Sequence, residues 1–206
     1  MGVGRKEAEG GDEVTISSLI STMRNGRILA IDPATHSLAW AVLDVQDDHL
    51  ELVDYGKINL DKIPELSNKF SKIKKEIPEI CEKYKPDVGV IEQSVYIQNF
   101  QASRVLSYII GFTWGELDDY CKYVTDVNPL TWKAGIGYKN LTKKDTKDIK
   151  DKYGSRGIQK RLNDERKQRV RKILLEYFTD LELDGIDSDI SDAIGIGLWY
   201  GIKHGS

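Results

Sequence analysis

The chain predicts an α/β layer fold, a mixed five-stranded sheet flanked by helices, and three observations carry that prediction. Three apolar runs, 27–32, 38–43 and 50–58, follow one another at hairpin distance. Two further strand-like runs, 87–92 and 123–127, alternate with long segments of helical periodicity. No internal repeat breaks the pattern, so residues 27–206 read as one domain behind a flexible arm, 1–26.

The elements follow in order. Residues 1–26 mix Gly, charge and Ser/Thr, with a short helix expected near Ile16–Met23. Arg27-Ile-Leu-Ala-Ile-Asp32 is an apolar strand stopped by Pro33. Leu38–Leu43 and Leu50–Ile58 supply the next two strands, joined by the turn Gln46-Asp-Asp-His49. Ile63, Leu66, Phe70, Ile73, Ile77, Ile80 and Tyr84 then draw the stripe of a long helix. Pro78 should kink or split it, and Lys85-Pro86 should end it. Asp87–Glu92 is a buried strand, Gln98–Tyr120 a helix, and Tyr123–Val127 the fifth strand, closed by Asn128-Pro129. The stretch 139–162 has few apolar anchors and reads as a mobile basic insertion. Asp164–Phe178 is helical, with Val170, Ile173, Leu174, Tyr177 and Phe178 inward, and a last helix spans Asp187–Lys203.

Composition excludes several classes of protein. At 40% hydrophobic and 31% charged, the 206 residues suit a folded domain rather than a disordered chain. No apolar run reaches the roughly 18–20 residues of a membrane span, and Met1–Glu13 carries no signal-peptide core. Two cysteines, Cys81 and Cys121, with no CxxC and no Cys/His cluster, argue against zinc and a disulfide framework and for a reducing, cytosol-like compartment. The net charge of −3 hides a division: Lys133–Lys172 holds 15 Lys/Arg against five Asp/Glu, and the remainder is strongly acidic. One basic face on an acidic protein is what a phosphate-binding surface requires, although a solvated loop has the same composition.

Two strands each deliver an acid at their carboxyl end, Asp32 and Glu92. If those strands are parallel neighbours, both acids emerge at the sheet edge where such folds bind ligands. The last helix offers Asp189 and Asp192, three residues apart and so on one face. Oxygen ligands without thiolate or clustered imidazole select Mg²⁺, with Mn²⁺ as a substitute. Each acid has a plainer explanation: Asp32 as a turn former before Pro33, and Asp187, Asp189 and Asp192 as helix-start charges or caps. Asp187 competes with Asp189 for the ligand's place.

Taken together, Ala30-Ile-Asp32-Pro33, Val90-Ile-Glu92-Gln93 and Asp189-Ile-Ser-Asp192-Ala193 resemble the RuvC Holliday-junction resolvases of the RNase H-like, retroviral-integrase superfamily. The resemblance runs over roughly 27–203, with Ala34 where the family has Gly. It implies an RNase H-like sheet and a catalytic, metal-binding tetrad of Asp32, Glu92, Asp189 and Asp192 with two Mg²⁺ per active site. It further implies a homodimer making paired nicks across branched DNA, with no small-molecule cofactor and no membrane association. The expected location is the cytoplasm or nucleoid, and the arm and longer basic stretch suit a phage, viral or organellar relative. Lys133, Lys139, Lys143, Lys144 and Lys167 fall in the region resembling the family's DNA-contact surface. The family places a junction-inserting aromatic three residues after the glutamate. Val95 stands there, so Tyr96 and Phe100 are the aromatic candidates. Trp132 reads as a core or groove-wall residue, and His36 as a turn histidine. The competing readings are a nuclease acting on flaps, branched DNA or RNA–DNA hybrids, and a catalytically silent nucleic-acid-binding module.

Overall fold

Five strands form one sheet in the order β3-β2-β1-β4-β5. They are β1 (Asn25–Pro33), β2 (Ser37–Gln46), β3 (His49–Asn59), β4 (Val88–Glu92) and β5 (Tyr123–Val127). The computed structural model describes residues 25–47, 49–94, 99–179, 181 and 186–205, so the helix expected near Ile16–Met23 lies outside the described residues. β1 begins at Asn25, two residues inside the expected arm. The first three strands form an antiparallel meander, whereas β1–β4 and β4–β5 are parallel, giving the mixed sheet the sequence predicts.

Six helices follow among the described residues: α1 (Leu66–Tyr84), α2 (Phe100–Asp118), α3 (Pro129–Gly135), α4 (Lys143–Tyr153), α5 (Ile158–Tyr177) and α6 (Ser188–His204). α1 runs unbroken through Pro78, so the predicted split does not occur. Ile73, Ile77, Cys81 and Tyr84 are buried along one face, and that packing outweighs the hydrogen bond proline removes. The helix ends at Lys85 in the left-handed conformation, before Pro86. Ile63 lies before its first turn.

The basic stretch differs most from expectation. Residues 143–153 and 158–162, expected within a mobile insertion, are helical. Thr142 starts α4 through a reciprocal capping box with Asp145, and Arg169 ties α5 back to Asp145 at 3.2 Å. Leu162, Val170 and Leu174 form the buried side of α5, Phe178 follows inward, and Tyr177 faces solvent against expectation.

Strand alternation divides the core into two layers. Ile28 and Ala30 of β1 and Val88 and Val90 of β4 face α6, α3 and α5, while Leu29, Ile31 and Ile91 face α1 and α2. α6 is buried from Ala193 to Gly201 and lies against β1, β2 and β3. Its glycines permit that approach: a Cβ at Gly197 would stand 2.2 Å from Leu43 Cδ1, and one at Gly195 2.6 Å from Trp132 Cζ3. Cys81 and Cys121 are free thiols in the α1–α2 layer. No described helix is long and apolar enough to cross a membrane.

Candidate active site

Asp32 and Glu92 follow the alternation of their strands. Asp32 shares the phase of Ile28 and Ala30, and Glu92 that of Val88 and Val90, so both point to the α6 side. The parallel register Ile31↔Ile91 sets them next to each other at the carboxyl edge of the sheet. α6 crosses this edge with its first turns, bringing Asp189 and Asp192. Asp187 is the N-cap, accepting from the Asp189 N–H at 3.0 Å, so capping falls to Asp187 and not Asp189.

The acids feel one another. Burial, followed by the charges of Glu92, Asp192 and Asp189, pushes the Asp32 carboxyl well above the ordinary carboxylate range. Burial also raises Glu92 and Asp192, and each is partly relieved by Lys133. Trp132, wholly buried on α3, donates its indole N–H to Glu92 Oε2 at 2.6 Å and fixes that carboxylate. Of the core and groove-wall roles the sequence suggests for Trp132, the structure shows the core one, with a hydrogen bond added. Lys133 donates to Asp192 Oδ2 at 3.3 Å and lies 4.8 Å from the Trp132 ring centre.

The predicted basic residues separate by position. Lys133 reaches the acids directly, and Lys167, exposed on α5, is near enough to favour ionised Asp192. Lys139, Lys143 and Lys144 are exposed, with Lys139 just before α4 and the other two at its start. Phe100 is 73% exposed as the first residue of α2. Tyr96 lies outside the described residues. His36 is an exposed turn residue whose carbonyl accepts from Leu60.

Sequence reasoning missed Lys57. Its ammonium donates to Asp187 Oδ2 and Asp189 Oδ2, each at 2.6 Å. Burial works against its charge, and the hydrogen bonds to the two aspartates overcome that and raise its pKa. Lys57 in turn holds Asp187 down to about 2. The pairing register shifts between Val42 and Leu43, which pair with Asp54 and Leu52, leaving Val53 as the extra residue of a β-bulge. Leu50 and Leu52 face the α6 layer before the bulge, and Tyr55 faces it afterwards. Lys57, two residues beyond Tyr55, therefore sits in one cross-strand row with Ala39 and Asp32. The passage from Leu50 and Leu52 to Tyr55 in the apolar pattern was the available signal.

Among the described residues, no three His, Cys, Asp or Glu side chains are gathered as a ready metal group. The lysines account for part of this, because Asp189 and Asp192 are turned to Lys57 and Lys133. An apolar groove lined by Val45, Leu50, Tyr177, Phe178 and Ile202 lies at the other end of β2 and contains none of the four acids.

A β3-β2-β1-β4-β5 mixed sheet, here with acids at the ends of adjacent parallel strands and on a crossing helix, is the RNase H-like fold. The family model described as crossover junction endodeoxyribonuclease RuvC matches residues 28–112. A relative of that name from Fusobacterium nucleatum is 27% identical over 62% of this chain and 67% of its own length. Another, from Ehrlichia ruminantium, is 31% identical over 46% of this chain and 61% of its own. The structure of Thermus thermophilus RuvC in complex with a Holliday junction superposes with a TM-score of 0.65, at 12% identity, covering 87% of this chain and 96% of that one. Over residues 28–112 the chain is similar to the RuvC family, and its fold matches that of a solved RuvC. Asp32 and Glu92 fall within the matched residues, whereas Asp189 and Asp192 lie beyond them and rest on the geometry of α6.

Proposed function

We propose that the chain is a Mg²⁺-dependent endonuclease that resolves four-way DNA junctions as a homodimer, by paired symmetric nicks. The observation that carries this reading is the meeting of Asp32 and Glu92, at the ends of adjacent parallel strands, with Asp189 and Asp192 of α6 at one sheet edge, beside Lys133 and Lys167. A buried Asp32 pushed up by three neighbouring acids is a site short of positive charge, which fits divalent cations. The donor set, all carboxylate, suits Mg²⁺ and accepts Mn²⁺. Two such ions held by the four acids would activate a water and stabilise the leaving oxygen of a phosphodiester.

The chain's own residues do the rest. Trp132 holds Glu92 in place, and the Asp187 cap sets the first turn from which Asp189 and Asp192 project. Lys133 and Lys167 offer positive charge to a phosphate beside the acids, while Lys139, Lys143 and Lys144 extend that surface. Exposed Phe100 supplies aromatic surface for a junction's unpaired bases, and Tyr96 remains the second aromatic candidate by its place in the sequence. A second copy is supported by the outer side of α1 and α2, where Leu66, Phe70, Tyr108 and Phe112 line an apolar groove. Two facing sites are what symmetric cleavage of two strands needs. The protein would act as one nuclease domain, 27–206, in the cytoplasm or at the nucleoid.

The test uses a synthetic four-way junction and a matched linear duplex, each with Mg²⁺ and with EDTA. Symmetric nicks confined to the junction and lost in EDTA are expected. Equal cutting of the duplex would overturn junction specificity, and activity intact in Asp32→Asn would overturn the metal site.

A further inference from the structure

Asp189 is engaged at Oδ2, which accepts from Lys57 at 2.6 Å, while the Ser188 hydroxyl stands 3.3 Å from both Asp189 Oδ1 and Asp187 Oδ1 and donates its one proton to one of them. A cation approaching this carboxylate therefore meets an ammonium already seated there. Lys57 has a second anchor, Asp187 Oδ2 at the same distance, and Asp187 in turn is held by its capping bond through Oδ1. One carboxylate can thus leave the ammonium while the other retains it. Asp192 contrasts with this, since its lysine stands at 3.3 Å and donates to no other carboxylate among the described bonds.

We propose that Lys57 is a built-in counter-cation, competing with divalent metal for Asp189, with Asp187 as the berth to which it withdraws when metal binds. The inference rests on the reading of Asp32, Glu92, Asp189 and Asp192 as the metal site. Lys57 is a positioning residue here, acting on metal through Asp189. Its presence stabilises the metal-free site, where like charges would otherwise repel, and weakens the metal's hold on one ligand. The β-bulge at Val53 is the backbone device that aims it, because without the extra residue position 57 would face the α1–α2 layer. An ordinary structural clamp from β3 to the start of α6 predicts the opposite sign. Removing a clamp would loosen the acids and weaken metal binding, whereas removing a competitor strengthens it.

The test is Mn²⁺ binding to the full-length, metal-stripped protein, followed by calorimetric titration or by the paramagnetic signal of free Mn²⁺. Asp32→Asn should abolish the specific binding. Lys57→Met should bind Mn²⁺ roughly tenfold more tightly, the effect of deleting one adjacent positive charge. Lys57→Arg should remain near the wild-type affinity, and Asp187→Asn should bind more weakly, since Lys57 is then left to Asp189 alone. Mn²⁺ binding that survives Asp32→Asn overturns the metal-site reading, and this inference with it. Binding that requires Asp32 but is unchanged or weakened in folded Lys57→Met overturns this inference alone. Should Lys57→Met fail to fold, Asp187→Asn decides, and unchanged or tighter binding there overturns the proposal.

Discussion

The two halves of α6 obey opposite rules. From Ala193 to Gly201 the helix is buried, apolar and glycine-rich, close enough to the sheet that Gly197 nests against Leu43 and Ala30. Its first turns, with Asp189 and Asp192 and the preceding Asp187 cap, gather negative charge held by lysines from β3 and α3. The buried half lowers free energy by packing, at ~1.5–3 kcal/mol for each large apolar side chain. The charged half raises it, because burial and then Asp189 keep Asp192 above the ordinary carboxylate range, and Asp32, facing it from β1, is raised likewise. One helix thus carries an unfavourable cluster on a rigid support, the condition for holding reactive groups in fixed geometry. Asp32 and Glu92 repeat the arrangement on the sheet, each at the end of a buried strand.

The sharpest test of the charged cluster that the first turns of α6 complete is Asp32→Asn. On the proposed function cleavage should fall on the order of a thousandfold or more, since grouped catalytic residues act as a unit. Metal-free stability should rise. The raised carboxyl contributes stability that is present below its unfolded range and lost as pH rises through the folded value, so ionised Asp32 destabilises at neutral pH. Calorimetry without metal should show a higher Tm for the variant at pH 7 and no gain near pH 3. An unchanged Tm at pH 7 would show that the cluster carries no such cost.

Gly197→Val attacks the buried half. Its Cβ would meet Leu43 Cδ1 at 2.2 Å and Ala30 Cβ at 3.4 Å, and overpacking of this kind costs about 1–3 kcal/mol or more. The urea midpoint should fall, and cleavage should fall with it, because the acids move with their helix. Trp132→Phe is subtler. It deletes the donor to Glu92 while nearly preserving volume, and loss of such an outer partner lowers metal affinity or activity roughly 10–100-fold. Full activity in that variant would assign Trp132 to packing alone.

The smallest effect is expected at Asp187. Asparagine still caps a helix, so Asp187→Asn removes the charge but keeps the cap. Lys57 holds this carboxyl at about 2, below its ordinary 3.8. Its contribution to stability is therefore present above the unfolded value and disappears as pH falls through the folded one. Urea unfolding of wild type and variant should differ at pH 6 and converge near pH 2. With Asp187 45% exposed, solvent screening keeps that difference small.

Much of this site can be read along the chain because its parts are local. Apolar runs ending in Asp32 and Glu92 give strand-terminal acids, and Asp189 with Asp192 gives one face of a helix. These follow from dihedral preference and periodicity, which act over a few residues. Asn128-Pro129 closes β5 as the sequence suggests, but Asn128 also caps α3, a short helix the sequence reading did not anticipate and the one that carries Trp132 and Lys133. The helical content of 143–162 was harder to see because α4 buries none of its residues, so no apolar stripe marks it. Its order comes from a capping box and from the distant Arg169.

By itself, the sequence determined the five strands, the four acids and the basic segment that accompanies them. Tertiary structure decided which charges meet. Lys57 is 130 residues from Asp187 and 132 from Asp189 along the chain, and it reaches them because one unpaired residue, Val53, shifts the phase of β3. Local alternation assigns a face only while pairing stays in register, and register is a property of two strands together. That is why the acids were legible in the sequence and the lysine that restrains them was not.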